Sequence, residues 1–101
     1  NMKHIRVVGS LDTTISKIAL VTGSGADMVK KAQRSGCEVI ITGDVKYHDA
    51  QDAIDMGMCI IDCGHFETED IFKDVMKRFL DDIHDIEVLK SNIDLNPFKI
   101  V

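Results

Sequence analysis

The sequence predicts a layered α/β domain with a mostly parallel or mixed sheet, its core elements running β-α-β-α-β-α-β. Three observations carry this expectation. Short runs rich in Val and Ile alternate with stretches whose apolar residues recur every three or four positions. Almost every boundary between the two patterns holds a glycine. The connections are short, so successive elements must lie side by side in adjacent layers.

Taken in order, residues 5–8 (IRVV) form a β-branched run ended by Gly9 and Ser10, and predict a strand. Residues 11–14 are polar and turn-like. Residues 15–22 (ISKIALVT) predict a second strand, apolar enough towards its end to suit burial on both faces. Gly23-Ser24-Gly25 follows, then a helix carried by Met28, Val29 and Ala32 and stopped by Gly36. Residues 37–42 (CEVIIT) predict a strand and residues 46–56 a helix with Tyr47, Ala50, Ala53 and Ile54 on one side. Residues 58–63 (MCIIDC) predict the next strand. The strongest helical pattern comes after it: Ile71, Phe72, Val75, Met76, Phe79, Leu80 and Ile83 make one apolar stripe opposite Lys73, Asp74, Lys77 and Arg78. Residues 86–89 (IEVL) predict a last strand, and Phe98 after Pro97 reads as a plug for the core. His4 and His84 read as surface residues. Asn1 ahead of Met2 reads as an addition to the natural chain and takes no part in the fold reading.

Length and charge narrow the function. The 101 residues suit a single domain spanning 1–101 with a small core. Twelve Lys and Arg against 17 Asp and Glu leave a net charge of −5, which argues against general nucleic-acid binding and against anionic membranes, since both draw on basic residues. No apolar run reaches the roughly 18 residues of a membrane span, and no signal peptide is visible. Cys37, Cys59 and Cys63 are an odd number with no CxxC spacing. Cys59 and Cys63, four strand residues apart, lie roughly 13 Å from each other, too far for a disulfide. Reduced thiols in a cytoplasmic protein are the expectation.

In parallel sheets, ligands gather beyond the carboxyl ends of the strands. Three predicted strands end in polar, glycine-marked turns: Thr22-Gly23-Ser24-Gly25, Thr42-Gly43-Asp44 and Asp62-Cys63-Gly64-His65. The first is either an anion cradle resembling the start of a dinucleotide fingerprint or a tight turn that needs glycine dihedrals. Met28 stands where such a fingerprint has its third glycine. The second turn leads into Lys46, Tyr47, His48 and Asp49. These residues suit a polar ligand pocket lined by Asp44, Lys46 and Tyr47, with His48 a proton carrier; Asp44 alternatively caps the helix. In the third, His65 and Glu69 are four apart at a strand-to-helix junction, so an imidazole nitrogen and a carboxylate point the same way. That pair suits a divalent metal such as zinc, manganese or iron. The alternative is that the acidic residues near it only favour the positive end of a helix dipole.

Three segments in fixed order, residues 17–25 (KIALVTGSG), 41–50 (ITGDVKYHDA) and 61–69 (IDCGHFETE), resemble the C-terminal half of the Nif-three-like family, the GTP cyclohydrolase 1 type 2 homologues. The resemblance covers roughly residues 5–98. It implies one lobe of a two-lobed fold, with a two-metal centre between the lobes and His65 and Glu69 as this lobe's ligands. It also implies further ligands, a His-His pair and an Asp, from an N-terminal half. This chain holds no His-His pair. The missing half is then a partner, together with a small-molecule substrate of nucleotide type and copies of the chain in a homo-oligomer, hexameric in the family. The expected function is the C-terminal lobe of a metal-dependent hydrolase, inactive as an isolated piece. The competing reading is a non-enzymatic interaction or regulatory module on the same fold.

Overall fold

The computed structural model describes residues 4–101, so Asn1 lies outside the described residues. The chain divides into two compact units, Asn1–Glu69 and Asp70–Val101.

The first unit is built on a four-stranded mixed sheet. Its strands are β1 (Arg6–Val8), β2 (Ile18–Ser24), β3 (Val39–Gly43) and β4 (Cys59–Asp62), in the spatial order β1-β4-β3-β2. β2, β3 and β4 run parallel, and β1 closes the edge antiparallel to β4. The connections are a short 3-10 turn (Ala26–Met28) with α1 (Val29–Arg34), then α2 (Tyr47–Asp55).

The register explains the core. Ala19, Ile40, Ile60 and Val8 face one another across the four strands. They pack with Val29 and Ala32 of α1 and with Ala50 and Ala53 of α2, so the two helices share one face of the sheet. One step along, the row Leu20, Ile41, Ile61 and Val7 points to the opposite face. Leu20 and Val7 there are exposed. The expectation that β2 is buried on both faces is therefore corrected. As an edge strand it half-buries Ala19 and Val21 and leaves Ile18 and Leu20 exposed. Burial on both faces belongs to the central β3.

The next row towards the carboxyl ends is polar. Thr42 pairs with Asp62, and Asp62 with Arg6. Thr42 and Asp62 are buried. This row lies on the helix-covered face, directly below the three turns. α3 (His65–Asp70) follows β4 after only two residues.

The second unit holds α4 (Phe72–Leu80) and an irregular segment. The predicted stripe from Ile71 to Ile83 forms α4 only as far as Leu80: Ile71 keeps helical dihedrals as its N-cap, and Ile83 lies beyond its end. The predicted strand over 86–89 is absent, which corrects the last β of the expected order. A strand exists only by pairing its backbone, and this segment has no strand partner among the described residues. Instead Val88 and Leu89 line a groove of about 280 Å³ with Phe72, Met76 and Leu80 of α4. Phe98 is not a core plug, being 78% exposed. His4 and His84 are exposed, as expected. Among the described residues no helix is long and apolar enough to cross a membrane, and all three cysteines are free.

Candidate functional site

The three turns converge because β2, β3 and β4 are parallel and end at one edge. Each turn is shaped by its own glycine. Gly23 (φ 67°) sits where the β2–β3 register shifts, between Leu20 and Ser24. Gly64 (φ 87°) turns β4 into α3. Between them lies Gly43, where a Cβ would come within 2.5 Å of Gly64 C and His65 N. Only a glycine lets the second and third turns approach this closely.

Two threonines fasten the first turn. The Gly23 N–H donates to Thr68 Oγ1 (2.8 Å), and the Thr68 hydroxyl donates to the His65 carbonyl (2.9 Å). The Gly25 N–H donates to Thr42 Oγ1 (2.8 Å), whose hydroxyl points to the Gly23 carbonyl at 3.3 Å. The Gly23 and Gly25 amides are thus committed to internal partners, as in a tight structural turn. In the sequence Thr42 belongs to the second turn and Thr68 has no assigned role; that their hydroxyls fasten the first turn, 17 and 45 positions away, carries no local signal.

The expected site residues separate into two groups. Asp44, His65 and Glu69 form one cluster. Asp44 Oδ2 lies 2.6 Å from His65 Nδ1, and Glu69 Oε2 lies 3.3 Å from His65 Nε2. Asp44 is the one non-glycine residue with positive φ (56°) among those described, and it does not cap α2. Lys46 occupies the N-cap, and its N–H donates to Asp49 Oδ2 (3.1 Å). The hydrogen bond His65 makes to Asp44 raises its pKa most, desolvation opposes it, and the Glu69 charge adds to the rise.

Lys46, Tyr47 and His48 do not join this cluster. Tyr47 and His48 stack edge to face on the first turn of α2, with ring centroids 5.6 Å apart. Both are exposed, and neither makes a side-chain hydrogen bond among the described residues.

The cluster has the chemistry of a partial metal site. Zinc, manganese and iron all accept imidazole nitrogen and carboxylate oxygen. With Nδ1 held by Asp44, the ligand atom left to His65 is Nε2, which faces Glu69 Oε2 at 3.3 Å. A carboxylate on the second ring nitrogen is how metal-binding histidines are commonly oriented. The space beside the pair is kept open by Gly23, where a Cβ would meet Glu69 Oε1 at 2.5 Å and His65 Nε2 at 3.3 Å. These residues fit such an ion as two of its ligands. Among the described residues no group of three or more His, Cys, Asp or Glu side chains is arranged to hold one.

Burial pushes the Cys63 thiol above its ordinary pKa, and the neighbouring Asp62 charge adds to the effect. Such a thiol is a poor nucleophile.

Comparison with known proteins adds a family. The model described as Duf34/NIF3 (NGG1p interacting factor 3) matches residues 1–97. A GTP cyclohydrolase 1 type 2 homolog of Halalkalibacterium halodurans is 41% identical over 95% of this chain. One from Clostridium perfringens is 38% identical over 99% of it. The chain spans 27% of the first relative's length and 39% of the second's. Among solved structures, a Bacillus cereus protein related to NIF3 superposes with a TM-score of 0.78 at 31% identity, covering 99% of this chain and 29% of that one. A Staphylococcus aureus protein does so with a TM-score of 0.89 at 33% identity, covering 99% and 30%.

Proposed function

The chain belongs to the Duf34/NIF3 family, and from that premise we propose that it is the C-terminal lobe of a dinuclear-metal hydrolase of the GTP cyclohydrolase 1 type 2 kind. The observation that carries the reading is the ordered triplet Asp44–His65–Glu69 beside the space at Gly23. His65 Nε2 and Glu69 are this lobe's two ligands to a divalent zinc, manganese or iron ion. When bound, the metal supplies Lewis acidity toward a substrate oxygen or water.

This chain's own groups prepare that chemistry. Asp44 accepts the Nδ1 proton, fixing the His65 tautomer and ring plane so that Nε2 presents its lone pair. Thr68 ties the β2 turn to the start of α3 and so keeps Gly23 next to the pair. His48 is the proton carrier of this reading and Lys46 and Tyr47 its substrate-binding residues, all three exposed at the start of α2 and outside the Asp44–His65–Glu69 cluster. The remaining ligands come from the rest of the longer protein, with copies of it forming a homo-oligomer, and the substrate is a small molecule of nucleotide type.

Calorimetric titration of this chain with zinc and with manganese tests the reading. Wild type binds one of them weakly, His65→Ala abolishes binding, and neither hydrolyses GTP. Metal uptake indifferent to His65→Ala overturns the ligand assignment. GTP turnover by this chain alone overturns the dependence on a second half.

A second reading rests on α4, whose Phe72, Val75 and Phe79 are all exposed. Such a face suits protein interaction, and the reading needs no metal.

A further inference from the structure

We infer that Asp62 is the positioning residue of this site: its buried carboxylate fixes the two turns whose next residues, Asp44 and His65, meet. Asp62 is 4% exposed and sits at the end of β4. Its Oδ1 accepts the Gly64 N–H (3.0 Å). Its Oδ2 accepts the Val45 N–H (3.1 Å) and the Arg6 guanidinium. The same Arg6 nitrogen also donates to the Val45 carbonyl (2.8 Å). Val45 follows Asp44 and Gly64 precedes His65, so one carboxylate grips the backbone beside both partners of the 2.6 Å contact.

The chemistry of the grip requires a carboxylate. Three N–H donors converge on two oxygens, which only an acceptor on both sides satisfies. An asparagine of the same shape turns one oxygen into an NH₂ group and confronts at least one of the three donors with another donor. Arg6 holds the negative charge in place from β1, the antiparallel edge strand. That gives this strand a task at the site beyond extending the sheet. The left-handed backbone at Asp44 (φ 56°) is one that Asp tolerates better than most non-glycine residues, and the grip on the next residue holds the turn in it. Its neighbour Val45 is buried and pinned by both Asp62 and Arg6. The hydrogen bonds of the Asp62 carboxylate go to Arg6, Val45 and Gly64, so it acts on the site through the backbone beside Asp44 and His65.

The inference rests on the metal reading only for its affinity arm, and the test separates the two. Nitrogen NMR of the His65 ring, in metal-free protein at a pH where the imidazole is neutral, reports the tautomer that Asp44 selects. Wild type shows a single tautomer protonated at Nδ1. Asp62→Asn shows a mixture, and its zinc affinity falls roughly 10- to 100-fold. Ile40→Val, a core change away from the turns, lowers stability and leaves both readouts at their wild-type values. A single Nδ1 tautomer in folded Asp62→Asn overturns the inference whatever zinc does. A tautomer mixture in a protein whose wild type binds no zinc supports the role of Asp62 and overturns the metal reading instead. Should Asp62→Asn not fold, Arg6→Ala removes the partner from the exposed side and is read in the same way. A shift toward the mixture supports the inference, and an unchanged tautomer overturns it.

Discussion

The two units of this chain treat their apolar and polar residues in opposite ways. In the first, Ile40 and Ile60 are fully buried, and the buried polar residues Thr42, Asp62 and Thr68 each hold a turn of the site. In the second, α4 has the most regular apolar stripe in the sequence, yet none of its residues is buried. Phe72, Met76 and Leu80 line a groove, while Val75 and Phe79 stand exposed. Amphipathic periodicity states which face of a helix would be buried, not whether anything buries it. The order of the first unit comes from a sheet whose hydrogen bonds fix four strands at once. The second unit has no sheet of its own.

The largest expected effect is Ile40→Ala, which removes a side chain enclosed on every side. It should cost about 2–5 kcal/mol in chemical denaturation. A smaller loss would mean that the first unit is packed more loosely than its burial states. Next comes Gly43→Ala, whose methyl would meet backbone atoms of Gly64 and His65 that have no freedom to rotate away. We expect a loss of about 3 kcal/mol in the same measurement. Wild-type stability in this variant would show that the second and third turns can part. Phe79→Ala, at 76% exposure in α4, should change stability by no more than about 0.5 kcal/mol. A loss on the scale of Ile40→Ala would mean that this face is covered in solution.

The smallest effect concerns acid. Glu38 in the first unit accepts from the Ser16 hydroxyl and then the Lys17 N–H, which hold its pKa below the ordinary glutamate value. In the second unit Lys90, through a hydrogen bond and its charge, does the same for Asp74. Both carboxylates titrate lower folded than unfolded. Their stabilisation is therefore complete above the unfolded values and is lost as the pH falls through the folded ones. The causes differ, so salt should separate them. Neutral donors hold Glu38, while the exposed ion pair at Asp74 is screened. Carboxyl NMR titrations at low and high salt should show the Asp74 pKa rising with salt and that of Glu38 staying in place. Equal responses would erase this contrast between the units.

Much of the site was legible in the sequence. The glycine-marked ends of three parallel strands located the turns, and the i, i+4 spacing placed His65 and Glu69 together. Asp44 was marked as a ligand-pocket residue beside Lys46, Tyr47 and His48, and its contact with His65 was not foreseen. That contact links residues 21 positions apart. Spacing along one turn could not reveal it, because it depends on Gly43 letting two turns nearly touch. Asp62 stood in the right motif and was read as part of a turn. Its three donors come from β1 and from the turns after β3 and β4, and only a finished sheet gathers them.

The sequence by itself determined the kinds of element in the first unit, the parallel run from β2 to β4, and the family. Periodicity, glycine punctuation and short connections are local properties, and they act before any distant contact forms. Tertiary structure alone decided that β1 pairs antiparallel at the edge and that residues 86–89 find no strand to pair with. It also decided that both helices share one face and that a buried aspartate holds two turns together. Each of these is a choice of partner. The backbone groups of a strand, the apolar face of a helix and the lone pairs of a buried carboxylate are all satisfied by whichever distant residues the completed fold brings within reach.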